Sequence, residues 1–267
     1  MKHVITFAMA VALGAGCMTN SPEDDLGEQV EEVTGHQSFV LADTSDATLD
    51  LGGAFGRACF LSGVAGNITT WPFPTAGAGA GAGVHIVNGR WVLYIDTLSP
   101  GQRLSAWARC INSTSQTPVV TWTTGQAPAI LAPVVPGRYC FLEEVSTSRL
   151  GASHGGFQSP GDSVTIVNDG TSWKLQGSVE GRATASASCV TVSQSIGEYF
   201  DYAYTTNTVE MAPSDGGATA CFLTQLAGAI DDGSDWYQGL YVHHDTATLR
   251  YELLAKDYTG GRARCVK

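Results

Sequence analysis

Apolar and polar residues alternate along several short segments of the chain, and residues 84–95, VHIVNGRWVLYI, show the pattern well. The second half of this segment places Trp91, Leu93 and Ile95 at every other position. A period of two is typical of an antiparallel strand with one face in the core and the other in solvent. Asn88-Gly89 predicts a type I′ hairpin turn, because both positions tolerate a positive φ.

The same strand–turn–strand pattern recurs at 164–177 and 240–254. The apolar residues of the returning strand align as Trp91, Leu93 and Ile95 in the first copy, Trp173 and Leu175 in the second, and Leu249, Tyr251 and Leu253 in the third. Few windows beyond the N-terminal segment show a helical period. The sequence therefore predicts an all-β protein with about six strands in each copy.

The tripeptide Cys-Phe-Leu marks the period of this repeat, since its three copies begin 81 residues apart, at Cys59, Cys140 and Cys221. The positions that the copies share are cysteines, Phe-Leu pairs, strand apolars and turn glycines, which indicates a structural role. We expect three homologous antiparallel β modules, packed compactly about a pseudo-threefold axis or strung in tandem as small sandwiches. The compact form is favoured because the linking segments are themselves strands. The expected modules span 37–116, 117–197 and 198–267.

Cysteine spacing supports three closed modules. The chain has seven cysteines, of which Cys17 belongs to the N-terminal segment, leaving six. Six cysteines allow fifteen connectivities, but a threefold repeat selects the one that joins the first and last cysteine of each module. No Cys-X-X-Cys pair indicates zinc or thioredoxin-type chemistry. The predicted disulfides are Cys59–Cys110, Cys140–Cys189 and Cys221–Cys265.

The N-terminal segment predicts export. A short basic start precedes an apolar run, Val4–Gly16, which is too short to span a bilayer and suits a signal peptide. Residues 1–17 resemble a bacterial lipoprotein signal, in which the lipobox cysteine, here Cys17, becomes the lipid-modified first residue. The alternative is ordinary signal cleavage near Cys17. The resemblance implies an outer-membrane anchor with a periplasmic or surface-facing protein, because Met18 is not the aspartate associated with inner-membrane retention.

An acidic segment, 18–36, follows the lipobox and predicts a flexible tether. A short amphipathic helix over 26–33 is the alternative. The net charge of −11 and the scarcity of basic residues argue against a nucleic-acid partner, because phosphate binding needs Lys and Arg. The same charge argues against attraction to an anionic membrane surface. We therefore expect the N-terminal lipid to be the contact with the membrane.

Three Cys-Phe-Leu β modules behind an acidic segment and a lipobox resemble uncharacterised secreted lipoproteins of myxobacterial type. The resemblance spans most of the chain that follows the signal segment. It implies secretion, a lipid anchor and a repeated β fold. It carries no catalytic residue and no cofactor over to this sequence.

Candidate metal ligands lie in segments that differ between the copies. His243-His244 suggests a metal site only if both residues lie in a turn, where the alignment places them, because neighbours on a strand point to opposite faces. The segment 231–235, DDGSD, has oxygen ligands at a calcium-like spacing but lacks the bidentate glutamate of an EF-hand loop. Solvated turns are the favoured interpretation of both segments, and we expect no metal.

Candidate catalytic groups are equally sparse. His154, Asp162 and Ser163 lie in one loop, but no G-x-S-x-G elbow accompanies them. Glu143-Glu144 suggests a carboxylate pair, yet adjacent residues on a strand diverge. We therefore expect a non-enzymatic protein without a cofactor, and a hydrolase that uses the second-copy loop remains a weaker hypothesis.

Aromatic residues offer a hypothesis of binding. Rings in the loops between the third and fourth strands of the modules would stack on sugar faces or anchor a partner protein. The alternative, that these rings cap the ends of the module cores, is the favoured interpretation. The hypothesis predicts a surface binding or adhesion protein for polysaccharide or another envelope protein, and a purely structural envelope component is the alternative. The rings are Trp71, Phe73, Phe157, Trp236 and Tyr237.

Overall fold

The chain folds as an all-β protein. In a computed structural model, the described residues are 31–33, 36–69, 79–97, 101–148, 156–231 and 237–267. They form 19 strands and a 3-10 turn at Asp215–Gly217, with no α-helix among them. Within these ranges no helix is long and apolar enough to cross a bilayer.

Each module contributes six strands, as the alternation predicts. Those of module 1 are β2 His36–Asp43, β3 Ala47–Gly53, β4 Arg57–Gly66, β5 Gly79–Val87, β6 Arg90–Asp96 and β7 Leu104–Asn112. Those of module 2 are β8 Val120–Thr123, β9 Ala129–Pro133, β10 Arg138–Ser148, β11 Ser163–Asn168, β12 Ser172–Ser178 and β13 Ala183–Thr191. Those of module 3 are β14 Ser195–Tyr202, β15 Thr206–Pro213, β16 Ala220–Gly228, β17 Gly239–Asp245, β18 Arg250–Lys256 and β19 Thr259–Val266.

The end of the acidic segment is part of the fold rather than of a tether. A short strand, β1 Glu31–Val33, pairs antiparallel with the start of β2, where Val33 faces His36. The edge of the sheet therefore extends into the range expected to be flexible. The expected signal peptide, Cys17 and residues 18–30 of the expected tether lie outside the described residues.

Every sheet combines strands of two modules. Sheet 1 has the order β1-β2-β7-β4-β17-β18-β15, sheet 2 the order β3-β6-β5-β10-β13-β8, and sheet 3 the order β14-β19-β16-β11-β12-β9. We call the first, third and sixth strands of a module its cysteine half and the other three its hairpin half. The cysteine half of module 1 continues into the hairpin half of module 3, that of module 2 into module 1, and that of module 3 into module 2.

This exchange closes a ring of three modules. Antiparallel pairings of β4 with β17, β10 with β5, and β16 with β11 join the modules in turn. The two halves of one module then pack face to face, as the contacts of β2 and β7 with β6 show for module 1. The arrangement is therefore the compact pseudo-threefold form, and the tandem array is excluded.

The Cys-Phe-Leu repeat serves two cores at once. Its cysteines are buried and form the three expected disulfides, Cys59–Cys110, Cys140–Cys189 and Cys221–Cys265, each across a directly paired strand couple. The leucines point into the main core, which runs continuously through all three modules. The loops closed by the disulfides are 51, 49 and 44 residues long. Closing a loop of this length restricts the unfolded chain and raises its free energy by about 4 kcal/mol.

The phenylalanines of the repeat meet in a second, smaller cluster where the modules join. The ring centroids are 5.1 Å apart for Phe60 and Phe141, 5.2 Å for Phe60 and Phe222, and 4.8 Å for Phe141 and Phe222. All three side chains are fully buried, and Ile111, Val190 and Val266 pack around them. β4, β10 and β16 contact one another at this point. The cluster therefore marks the pseudo-threefold axis.

The structure corrects the alignment of the third returning strand. Leu249 is exposed in a turn with a positive φ, and β18 begins one residue later. Tyr251 instead occupies the place of Trp91. The Trp91 Nε1–H donates to the Arg57 carbonyl at 3.0 Å, and the Tyr251 hydroxyl donates to the Thr219 carbonyl at 2.9 Å. Both carbonyls lie two residues before the first cysteine of their module, so the ring ties the two halves of a module together.

We predict that Phe141→Ala destabilises the whole protein by about 3–5 kcal/mol, the range for a buried aromatic side chain replaced by alanine. The loss arises because the substitution removes buried apolar surface and leaves a cavity beside Phe60 and Phe222. Urea unfolding with the disulfides intact measures it. Phe55→Ala is the matched control, because Phe55 is fully exposed and surface changes stay within about 0.5 kcal/mol. Equal effects of the two substitutions would contradict the role of the cluster.

Candidate ligand-binding surface

The loop proposed for a nucleophile is organised around a structural carboxylate. Asp162 is buried, and its oxygens accept the backbone N–H groups of Gln158, Ser159 and Glu180 at 2.9, 3.0 and 2.6 Å. Ser163 opens strand β11 opposite Ser178. His154 lies outside the described residues. The described contacts therefore assign Asp162 to holding the loop against β12 and β13.

The histidine pair lies on a strand, not in the turn where the alignment placed it. His243 and His244 belong to β17 and face Glu252 and Tyr251 across the ladder. Adjacent strand residues point to opposite faces, so the two imidazoles do not converge. Asp231 forms an isolated bridge with Asn67, and 232–235 lie outside the described residues. In the ranges that the structure covers, no three His, Cys, Asp or Glu side chains are grouped to hold a metal.

A β-bulge brings Glu143 and Glu144 to the same side of sheet 2. The register of β10 against β13 shifts between Leu142 and Glu144, which inserts one extra residue. The Ser188 hydroxyl donates to Glu143, and the Ser186 hydroxyl donates to Glu144 at 3.1 Å. Ser186 and Ser188 share a face of β13 because they are two residues apart. The expected divergence of the two glutamates is therefore wrong at this bulge.

Glu143 is the more buried of the two carboxyl groups, at 2% exposure. Burial raises the pKa of Glu143 to about 7, although hydrogen bonds from Ser188 and Gln116 favour the ionised form and oppose the rise. The neighbouring charge of Glu144 adds to the rise. A side chain this enclosed is a feature of the core rather than a group that a substrate reaches.

This burial predicts a pH dependence of stability. Between pH 4.5 and 7 the folded protein keeps a proton on Glu143 that the unfolded chain releases, so the free energy of unfolding falls as pH rises through that window. We expect Glu143→Gln to remove at most about 3 kcal/mol of this loss. The free energy of unfolding of the variant, measured in urea, should exceed that of the wild type by more at pH 8 than at pH 5. Glu180→Gln, which changes an exposed carboxylate, is the control, and a gap independent of pH would contradict the assignment.

The same bulge occurs once in each module, and the residue after it occupies the same place on each sheet. These residues are Gly63, Glu144 and Gln225. Each lies between a residue of the sixth strand and a residue of the partner module. The flanking pairs are Trp107 and Tyr241 on sheet 1, Ser186 and Gly83 on sheet 2, and Arg262 and Thr165 on sheet 3.

On sheet 1 this place holds two stacked rings. The centroids of Trp107 and Tyr241 are 4.7 Å apart with planes inclined by 13°. Gly63 lies beneath them, and a Cβ at this position would be 2.3 Å from the Tyr241 Cβ and 2.9 Å from the Trp107 ring. The absent side chain of Gly63 thus makes room for the stack. Tyr237 adds a third ring, with centroids 6.0 Å from Tyr241 and 6.5 Å from Trp107.

Polar groups border these rings. We call Trp107, Tyr241 and Tyr237 the aromatic row. His243 lies two residues beyond Tyr241 on the same face of β17, opposite Glu252 of β18. The three rings are half-buried and His243 is exposed. The surface therefore combines apolar ring area with an imidazole and a carboxylate that can exchange hydrogen bonds with a ligand.

A second group of rings lies on module 3 and is more exposed. Tyr204 stands edge-on to both Tyr202 and Tyr258, with centroids 5.4 and 5.7 Å apart and interplanar angles of 89° in both cases. Tyr204 is 69% exposed and Tyr258 is 49% exposed. We call these three residues the tyrosine cluster.

The aromatic residues named as ligand-binding candidates from the sequence lie in different environments. Tyr237 belongs to the aromatic row. Phe157 is fully buried in the main core with a φ of 60°, so its ring is a core residue and presents no surface to a ligand. Trp71, Phe73 and Trp236 lie outside the described residues.

Sequence reasoning missed the other five rings, Trp107, Tyr241, Tyr202, Tyr204 and Tyr258. The search for copy-specific residues was confined to variable loops, whereas Trp107 and Tyr241 lie within strands. A comparison of the copies three residues before the closing cysteine would have found Trp107, because the other modules have Ser186 and Arg262 at that position. The bulge itself leaves no sequence signature that an alternation pattern detects.

A cavity of about 260 Å³ lies beside the axial phenylalanine cluster. Its charged lining residue, Lys267, forms an ion pair with Asp215. The polar lining residues include Asn112 and Ser193, and the small apolar floor adjoins the phenylalanine cluster. The aromatic row offers ring area that the lining of this cavity lacks, so we place the candidate site there.

Comparisons with known proteins give no family. No protein-family model matches the sequence, and no curated protein matches it at a significant level. The function must therefore be argued from the surface.

Proposed function

We propose that this protein is a non-enzymatic cell-envelope protein that binds polysaccharide through the aromatic row. The observation that carries the proposal is the stack of Trp107 and Tyr241 over Gly63, beside Tyr237. Sugar rings carry apolar C–H faces that pack on aromatic rings, while their hydroxyls need hydrogen-bond partners. His243 and Glu252 on the neighbouring strands supply such partners.

The three modules give this surface a specific position. At the equivalent bulge, sheet 2 carries the carboxylate of Glu144 and sheet 3 carries the guanidinium of Arg262. A scaffold that needed rings there for stability would be expected to carry them on all three sheets. The two residues paired with the residue after the bulge are both aromatic on sheet 1 and are not aromatic on sheets 2 and 3, although on sheet 2 the Tyr94 ring lies against Gly83 from the next strand. The aromatic pair on sheet 1 supports a role in binding, since aromatic side chains are enriched at binding hot spots.

The cysteines support the proposed cellular setting. Three buried disulfides are compatible with an extracellular or periplasmic protein, because such bonds persist in oxidising compartments. We propose that lipid on Cys17 anchors the protein in the outer membrane. The ligand would then be a polysaccharide of the envelope or of the surroundings, held close to the membrane.

Trp107→Ala should reduce binding to polysaccharide at least tenfold, because the substitution removes the larger ring of the row. Retention of the purified protein on insoluble cellulose, chitin and peptidoglycan measures binding, and the melting temperature shows whether the variant is folded. Phe55→Ala is the control, since it removes an exposed ring elsewhere. Retention that is unchanged in Trp107→Ala, or no retention of the wild type on any of the three, would favour the structural alternative.

Lipidation predicts a change in fractionation. The wild type should partition into the membrane fraction and carry lipid on the peptide that begins with Cys17, detected by mass spectrometry. Cys17→Ala should move the protein to the soluble exported fraction. A wild-type protein with an unmodified Cys17 would support ordinary signal cleavage instead.

A further inference from the structure

We infer that the tyrosine cluster is a second subsite for the same glycan, so that the ligand is an extended, neutral, β-linked chain rather than a terminal sugar. The inference rests on the proposed function of the aromatic row. It starts from the exposure of the three rings: Tyr204 and Tyr258 leave much of their surface in water, so they bury little apolar area for the fold.

The backbone that presents Tyr258 is unfavourable. Asp257 and Tyr258 form the two-residue connection between β18 and β19, with φ values of 52° and 63°. Positive φ is costly for residues with a Cβ, and a tyrosine there is uncommon. The β5–β6 turn meets the same requirement with Asn88-Gly89, at φ values of 52° and 76°.

The backbone hydrogen bonds of this corner do not require a tyrosine at 258. The backbone at this corner is well bonded, since the Ala229 N–H donates to the Tyr258 carbonyl at 3.1 Å and Asp257 N–H to the Thr205 carbonyl at 2.6 Å. A residue that tolerates positive φ would keep these bonds. Phe157 in the core and Leu249 in a turn also have positive φ, so what distinguishes Tyr258 is an exposed ring that stands edge-on to Tyr204.

The two groups of rings are linked through one side chain. Gln238 follows Tyr237 of the aromatic row, and its Nε2 donates to the Asp257 carbonyl at 3.3 Å. Tyr258 is the next residue. Standard bond lengths then place the Cα atoms of Tyr237 and Tyr258 within about 18 Å of each other, a separation that a chain of a few sugars spans.

Charge selects the class of glycan. The protein carries a net charge of −11, and Glu252 borders the row while Asp257 borders the cluster. Lys256 lies on the same face of β18 as Glu252 and next to Asp257, so the local charge is mixed, and it is the net negative charge of the protein that disfavours an anionic chain such as one built from uronic acids. Neutral β-linked glucose or N-acetylglucosamine chains have equatorial substituents and flat apolar faces, which suit tyrosine and tryptophan rings.

The test compares chain lengths by calorimetry. The ligands are cello- and chito-oligosaccharides of two and six sugars, with maltohexaose as an α-linked control, and the proteins are the wild type, Trp107→Ala, Tyr204→Ala, Tyr258→Asn and Phe55→Ala. We expect the wild type to bind one of the β-linked hexamers at least tenfold more tightly than its dimer. Tyr204→Ala and Tyr258→Asn should reduce that ratio about tenfold, and Trp107→Ala should weaken both lengths. Phe55→Ala should change neither.

The outcomes separate the two proposals. Tyr258→Asn should melt at or above the wild-type temperature, because asparagine tolerates positive φ, so its loss of affinity would not reflect unfolding. If Trp107→Ala weakens binding while Tyr204→Ala and Tyr258→Asn leave the ratio unchanged, the second subsite is refuted and the first stands. If hexamer and dimer bind equally in the wild type, or maltohexaose binds as well as the β-linked hexamers, the extended β-linked ligand is refuted. If no oligosaccharide binds to the wild type, both proposals fail.

Discussion

Main-chain hydrogen bonding between modules is the constraint on which the rest of the structure depends. No module completes a sheet alone, because its cysteine half and its hairpin half each need a partner from a different module. An unpaired strand edge is a liability in water and a template for aggregation. Pairing β4 with β17, β10 with β5 and β16 with β11 covers six such edges. The continuous main core and the axial phenylalanine cluster both follow from that closure.

Much of this architecture could be predicted because the chain repeats itself. The spacing of Cys59, Cys140 and Cys221 identifies the modules, and the repeat alone selects the disulfide pairing. The alternation around Trp91 locates the hairpin. The exchange of halves could not be predicted, since hydrophobic periodicity describes which face of a strand is buried and not which strand lies beside it. Leu249 was aligned with a core position because it is apolar, but it is the last residue of the turn and β18 begins at Arg250.

The candidate surface was less accessible to sequence reasoning. It depends on which residues of distant modules become neighbours, as Trp107 of module 1 and Tyr241 of module 3 do. The bulge matters as much, because it turns Glu143 and Glu144 to one side against the simple rule of alternation. The bulge recurs once in each module, so the residue after it and its two cross-strand neighbours are paired in the same way on all three sheets. The side chains there are aromatic, acidic and basic, so a threefold scaffold presents three unlike surfaces.

The exchange of halves also orders events during synthesis. β4 near the start of the chain requires β17, Gly239–Asp245, near its end. The first module therefore cannot complete its sheet while the ribosome is still making the third, and its strands wait in the growing chain. Once the chain reaches an oxidising compartment, Cys59 and Cys110 can bond without β17, so their disulfide can join β4 to β7 early. The covalent bond then holds together a module whose last partner has yet to emerge.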